Sequence, residues 1–141
     1  MIRKMEEKDL AWARGLDERL FRDAAWGEED MLEAFLPGRR FIVAEKGERA
    51  GWAGMDARGA KAHILSIDVE PGFQRQGVGS ALLASLLSSA RALKKRECVL
   101  EAACSNAPAL ALYKKFGFKE EGRIKGYYPS SDAFVMKKDL D

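Results

Sequence analysis

The chain carries a single histidine, His63, and only two cysteines, Cys98 and Cys104, in 141 residues. One imidazole and two thiols do not furnish the four ligands of a structural metal site, so no metal is expected. On one extended strand the two cysteines would stand about 20 Å apart, at ~3.3 Å per residue, which excludes a disulfide and leaves both as small apolar residues. No apolar run reaches the ~18 residues of a membrane span, and no signal-peptide core opens the chain, so the expectation is a cytoplasmic protein without a membrane partner. Charge of one sign is missing too: 24 Lys and Arg face 22 Asp and Glu, a net of +2. The basic run Lys94-Lys95-Arg96 falls where a helix should end, and cations there complement the helix dipole, so nucleic acid is not an expected partner. Repeats, linkers and low-complexity stretches are absent, which leaves one domain over residues 1–141.

What is present centres on residues 67–93. The run Ile64-Leu65-Ser66-Ile67-Asp68-Val69 is short, apolar and β-branched, the pattern of a buried strand, and Glu70-Pro71-Gly72 stops it. Gln74, Arg75, Gln76, Gly77, Val78, Gly79 and Ser80 follow, and a helix is predicted over 81–93. Strand, glycine loop and helix together present unpaired backbone N–H groups to an anion. The third glycine of a dinucleotide fingerprint is missing, and so is the Gly-Lys-Ser/Thr of a P-loop. On this stretch alone a tight strand-to-helix turn fits as well as an anion site.

The remaining periodicities complete a β-α-α-β-β-β-α-β-α-β-β order. A strand is predicted at residues 2–5, then a helix capped by Asp9 with Leu10, Ala13, Leu16 and Leu20 at helical spacing. A second short helix spans 28–36, ended by Pro37-Gly38. Strands follow at 41–45, 50–57 and 62–69, the first two joined by the turn at 46–49. After the long helix come a strand at 98–104, parallel to the previous one because a helix crosses between them, and a helix capped by Asn106 and stopped by Gly117. Strands at 118–124 and 133–140 end the chain. The fold class is α/β, a mixed sheet of about seven strands flanked by four helices on both faces.

Four local patterns in this order resemble the GNAT N-acetyltransferase family over nearly the whole chain. The Q-x-x-G-x-G of Gln74, Gly77 and Gly79 is one. Leu100-Glu101-Ala102-Ala103-Cys104-Ser105-Asn106 is similar to L-E-V-R-x-S-N, and Ala109-Leu110-Ala111-Leu112-Tyr113-Lys114-Lys115-Phe116-Gly117-Phe118 to A-I-x-L-Y-x-x-x-G-F. Gly126-Tyr127-Tyr128-Pro129 with Asp132-Ala133-Phe134-Val135-Met136 is similar to G-Y-Y-x-x-x-E-D-A-x-x-M. Within the family these patterns most resemble the ribosomal-protein alanine acetyltransferase type and its archaeal N-terminal acetyltransferase relatives. Two departures, Ala103 in place of arginine and one residue fewer between Tyr128 and Asp132, lie near where a peptide would sit.

The resemblance implies the GNAT fold, acetyl-CoA as cosubstrate, and transfer of its acetyl group to the N-terminal α-amine of a protein or peptide, a ribosomal protein being one candidate. The chain would act as a monomer or weak homodimer. It also implies that the N–H groups from Arg75 to Ser80 hold the pyrophosphate and that the strand frees N–H groups around Ile67, Asp68 and Val69 for the thioester. Asn106 would touch the pantetheine arm. Glu101 interrupts an apolar strand, so desolvation should raise its pKa and suit it as base. His63, assigned by alternation to the face of Leu65, Ile67 and Val69, is its candidate partner; a hydrogen-bonded histidine at a strand start fits equally. Tyr113 is the candidate acid, hydrogen-bonding the departing sulfur. Tyr127 and Tyr128 would line the peptide groove opposite Trp26 and Glu28. An α-amine with pKa 7.7–8 is neutral in a sizeable fraction near pH 7, whereas a lysine near 10.4 is neutral in about one molecule in a thousand, so an N-terminus asks little of a base. The alternatives are an acetyltransferase for a lysine or a small amine, a non-catalytic acetyl-CoA-binding module, and a nucleotide-phosphate binder using the same loop.

Overall fold

A computed structural model describes residues 1–22 and 31–140. Seven strands form one sheet in the order β1-β2-β3-β4-β5-β7-β6: β1 (Ile2–Lys4), β2 (Arg39–Glu45), β3 (Arg49–Asp56), β4 (Ala62–Val69), β5 (Glu97–Ala103), β6 (Lys119–Tyr128) and β7 (Ser131–Asp139). Three helices are described: α1 (Leu10–Phe21), α2 (Val78–Ala92) and α3 (Ala107–Lys115). The expected short helix over 28–36 falls partly outside the described residues, and its end tightens into the 3-10 turn Glu33–Phe35. Every expected strand is present. Helix α2 starts three residues earlier than its apolar periodicity, because Gly77, with φ +81°, already turns the chain into it.

The core divides by sheet face. On one face Leu82, Leu83, Leu86, Leu87 and Ala90 recur at helical spacing along α2 and bury against Ile42, Ala53, Met55, Ile64 and Leu100. Cys98 is buried there, as an apolar residue would be, and burial pushes its thiol up to about 12. On the other face Ala13 and Leu16 of α1 pack on Met5, Val43, Phe41 and Trp52. The Phe41 and Trp52 rings stack at 5.7 Å. Gly54 makes room for them, since a Cβ there would meet the Phe41 ring at 2.5 Å.

Asp9 does not cap α1 through its side chain, contrary to expectation. It ends a preceding 3-10 turn, Glu7–Asp9, and accepts the Glu6 N–H at 2.8 Å. Its carboxylate instead takes two hydrogen bonds from Arg3, at 2.7 and 2.9 Å, and pairs with Arg49 at 3.0 Å. These cations hold the fully buried carboxyl down at about 2 against the desolvation that opposes them.

Two irregularities open the sheet. β4 is parallel to β5, but pairing is confined to Ala62↔Cys98 and His63↔Val99, after which the strands part. Opposite β3 the register slips by one residue, with Gly54 facing Ser66 and Met55 facing Ile64, so Leu65 is an extra residue in a bulge. The bulge reverses the alternation. Ala62 and Ile64 before it and Ile67 and Val69 after it all meet the α2 core, whereas Leu65 packs on the α1 side. His63 therefore does not share a face with Ile67 and Val69, as strict alternation had it.

Candidate active site

The parting of β4 from β5 leaves backbone groups without a strand partner. The Glu70 N–H donates to Ala50 C=O at 2.8 Å, so alternation along β4 turns the amides of Ile67 and Val69 the other way, into the gap. Gln74 Nε2, 3.4 Å from Val69 C=O, reaches the same edge. Just beyond, Arg75 and Gly77 both have positive φ, 64° and 81°, and successive amides in such a turn make a concave anion nest. The first bond of α2 runs from Ala81 N–H to Gly77 C=O at 3.0 Å, so the amides of Val78, Gly79 and Ser80 precede the helical ladder. A helix N-terminus and a nest on one loop suit a diphosphate.

Two cavities meet at this gap. One, about 510 Å³, is lined by Val69, Gln74, Arg75, Gly77, Val78, Gly79 and Ser80, with Leu112 of α3 opposite. The other, about 440 Å³, is lined by Glu101, Ser66, Leu65, Ala103, Tyr128 and Ser131. Ile67, Asn106 and Tyr113 border both, as do Leu20 and Phe21 at the end of α1. Asn106 Oδ1 accepts the Ala109 N–H at 3.3 Å, which caps α3 and leaves its amide nitrogen at the junction. Tyr113 packs edge-on against Phe118 at 5.9 Å. Burial first, then Tyr128, Asp68 and Cys98, push its phenol far above the ordinary value, so it stays protonated.

In the second cavity, Glu101 Oε1 is 2.7 Å from His63 Nε2. The odd-numbered residues of β5 face α1, and so does His63, whose neighbour across the short parallel pairing is Val99. The pair therefore approaches the gap from the α1 face, while Tyr113 approaches from the α2 and α3 face. His63 stands behind Glu101, outside the cavity lining, with 39% of its side chain exposed against 19% for Glu101. The hydrogen bond that the ring N–H donates to Glu101 raises the imidazole above its usual value; burial opposes this and is outweighed. Tyr127 Oη lies 3.4 Å from Glu101 Oε1 and Tyr128 Oη 3.4 Å from its carbonyl. The two rings meet edge-to-face at 4.8 Å. Burial pushes Tyr128 up to about 12, with Tyr127 and Glu101 adding to it.

The profile of the acetyltransferase (GNAT) family matches residues 5–118. The chain belongs to the GNAT acetyltransferase family. This GNAT enzyme is 33% identical over 138 residues, 94% of the chain and 89% of the relative, to the ribosomal protein bS18 alanine N-acetyltransferase of Escherichia coli K12. It is 42% identical over 82 residues, 57% of the chain and 49% of the relative, to an N-alpha-acetyltransferase of Sulfurisphaera tokodaii. The crystal structure of the Escherichia coli ribosomal-protein-S18-alanine N-acetyltransferase superimposes with a TM-score of 0.90 at 29% identity, covering 100% of this chain and 94% of that one. The GNAT reaction transfers acetyl from acetyl-CoA, and the nest and the first cavity fit its diphosphate and its arm. Among the described residues no group of three or more His, Cys, Asp or Glu could hold a metal ion, and no helix is long and apolar enough to cross a membrane.

Several expected site residues of this GNAT domain stand elsewhere. The Asp68 side chain is buried on the α1 face beside Ser66 and lines neither cavity. Gln76 turns its amide away from the cleft, to Gly72 C=O at 3.3 Å and Lys46 Nζ at 3.5 Å, and only its backbone belongs to the nest. Tyr127 is 46% exposed and touches Glu101 from the rim. Trp26 and Glu28 lie outside the described residues. Leu20 and Phe21 were missed. Leu20 looked like one more core position of an amphipathic helix, and nothing in its spacing says that α1 ends over the gap.

Proposed function

We propose that the enzyme acetylates the N-terminal α-amine of a protein or peptide by direct attack on acetyl-CoA. The observation that supports this most is the His63–Glu101 hydrogen bond, set at the cavity beyond the thioester gap and flanked by the Tyr127-Tyr128 pair. The α-amine of an incoming chain loses its proton to Glu101, directly or through one water, while His63 Nε2–H donates to the same carboxylate and holds it in place. The freed amine attacks the thioester carbon. The Ile67 and Val69 amides receive the charge that builds on the carbonyl oxygen, a contribution of about 3 kcal/mol for such a donor. As the C–S bond breaks, the Tyr113 hydroxyl hydrogen-bonds the departing thiolate, which takes up the second proton shed by the new amide nitrogen and leaves as the thiol of CoA. The high pKa of Tyr113 makes it a poor acid in isolation but keeps the O–H in place for this contact.

An acceptor that is already partly neutral suits this single weak base, and the relatives named for N-terminal acetylation point the same way. A peptide series with acetyl-CoA tests it: free N-termini without lysine against blocked N-termini with lysine. Acetyl groups should appear on the free N-termini. Product confined to lysine would overturn the proposal.

A further inference from the structure

A buried polar group that this mechanism does not use lies directly behind the gap. Asp17 of α1 and Asp68 of β4 are both wholly buried, and they are hydrogen-bonding neighbours. Ser66 Oγ lies 2.5 Å from Asp68 Oδ1 and 3.4 Å from Asp17 Oδ1. One hydroxyl has one proton to give, and two buried carboxylates in contact cannot both stay charged. Asp68 Oδ2 is buried without a well-formed hydrogen bond from any described donor. A proton held between the carboxyls would satisfy it. Burial, then Asp17, raises Asp68 well above the carboxylate range; Ser66 and the Trp52 indole of β3 oppose the shift without reversing it. Tyr113 of α3 lies near enough on the far side of the strand for its own titration to feel Asp68.

The placement gives this cluster a task. Ser66 follows the bulged Leu65, and Ser66 and Asp68 flank Ile67, with Val69 next. Asp17 sits one turn before Leu20 and Phe21, which wall both cavities. A second link, Trp12 Nε1 to Glu70 Oε2 at 2.8 Å, ties the start of α1 to the residue after β4 and does not involve the acids. We propose that Asp17, Ser66 and Asp68 are positioning residues, a polar clamp closed by one shared proton that holds the Ile67 and Val69 amides and the Leu20 and Phe21 wall in the geometry of acetyl transfer. The inference rests on the reading of those amides as donors to the thioester oxygen. Because Asp68 keeps its proton to higher pH than an unfolded aspartate, the clamp is complete in acid and is lost as pH rises through that raised value.

The test compares Asp68→Ala and Asp68→Asn in the full chain, reading kcat with a free-N-terminus peptide and the affinities for CoA and acetyl-CoA by calorimetry. Asp68→Ala should lower kcat about 10- to 100-fold while the CoA Kd stays within about twofold, since the diphosphate nest is untouched. Asp68→Asn keeps the shape and supplies a permanent donor. It should hold kcat within about threefold where the parent's clamp is protonated, and should lack the loss of kcat that the parent shows as pH rises through the raised Asp68 value. Full activity of Asp68→Ala, an equal loss of CoA affinity, or an Asp68→Asn profile that tracks the parent would each overturn the clamp. If Asp68→Ala does not fold, the Asp68→Asn pH comparison decides alone. If the parent acetylates no N-terminus, the acceptor proposal fails separately, and the ratio of acetyl-CoA to CoA affinity reads the clamp. The ratio should drop in Asp68→Ala, and an unchanged ratio would count against it.

Discussion

The two cavities are built in opposite ways. The side proposed to hold acetyl-CoA is mostly backbone: the Ile67 and Val69 amides, the nest at Arg75 and Gly77, and the first amides of α2, all within one continuous stretch. The side proposed for the acceptor is mostly side chains drawn from separate elements: Glu101 from β5, Leu20 and Phe21 from α1, Tyr128 from β6 and Ser131 from β7, with His63 of β4 behind them. A diphosphate can be held by amides that every sequence possesses, so the signal lies in where glycine permits the turn. An amine needs a particular acid–base group, and only the sheet order brings that group to the gap.

Changes confined to one side should therefore leave the other intact. The largest effect is expected of Glu101→Gln, which should cut kcat by about 10²–10⁴ without weakening CoA, read by steady-state kinetics beside calorimetry. A smaller and opposite split is expected of Gly77→Ala. A Cβ there meets nothing within 4 Å, but φ +81° costs an L-residue roughly 1 kcal/mol, and the strain falls on the nest. The KM for acetyl-CoA should rise several-fold while the peptide KM stays put, and a rise in the peptide KM instead would break the division. The smallest is Tyr127→Phe, which removes a long hydrogen bond to Glu101 at the rim, and a change of about two- to threefold in peptide KM is expected.

The same contrast explains what the sequence discloses. Gln74, Gly77 and Gly79, the Asn106 cap and the Gly117 stop are local signals, and the nest, α3 and its end stand where those residues put them. Glu101 stood out as a charge interrupting an apolar strand and Tyr113 through the resemblance, and both line the second cavity. The bulge at Leu65 was not: it adds a residue without any glycine or proline to mark it, and it inverts the face of every side chain beyond it. For that reason alternation set His63 beside Ile67 and Val69; Asp68, placed at the thioester through the backbone by the resemblance, instead pairs with Trp52 of β3 and turns its side chain under α1. Asp9 misled in a similar way. Its position before an apolar period is that of a cap, but Arg3 of β1 and Arg49 of β3 claim its oxygens.

The central claim is that His63 and Glu101 act as one proton-accepting unit, and titration of the His63 ring by NMR, with the acid limb of kcat/KM measured alongside, tests it most directly. The unit works only when His63 is neutral, so activity should rise with pH through the raised His63 value, above the usual 6.5. In Glu101→Gln the largest raising contact is gone while burial still opposes the charge, so the ring should titrate lower than in the parent. A parent ring titrating below 6.5, or one unmoved by Glu101→Gln, would contradict the account.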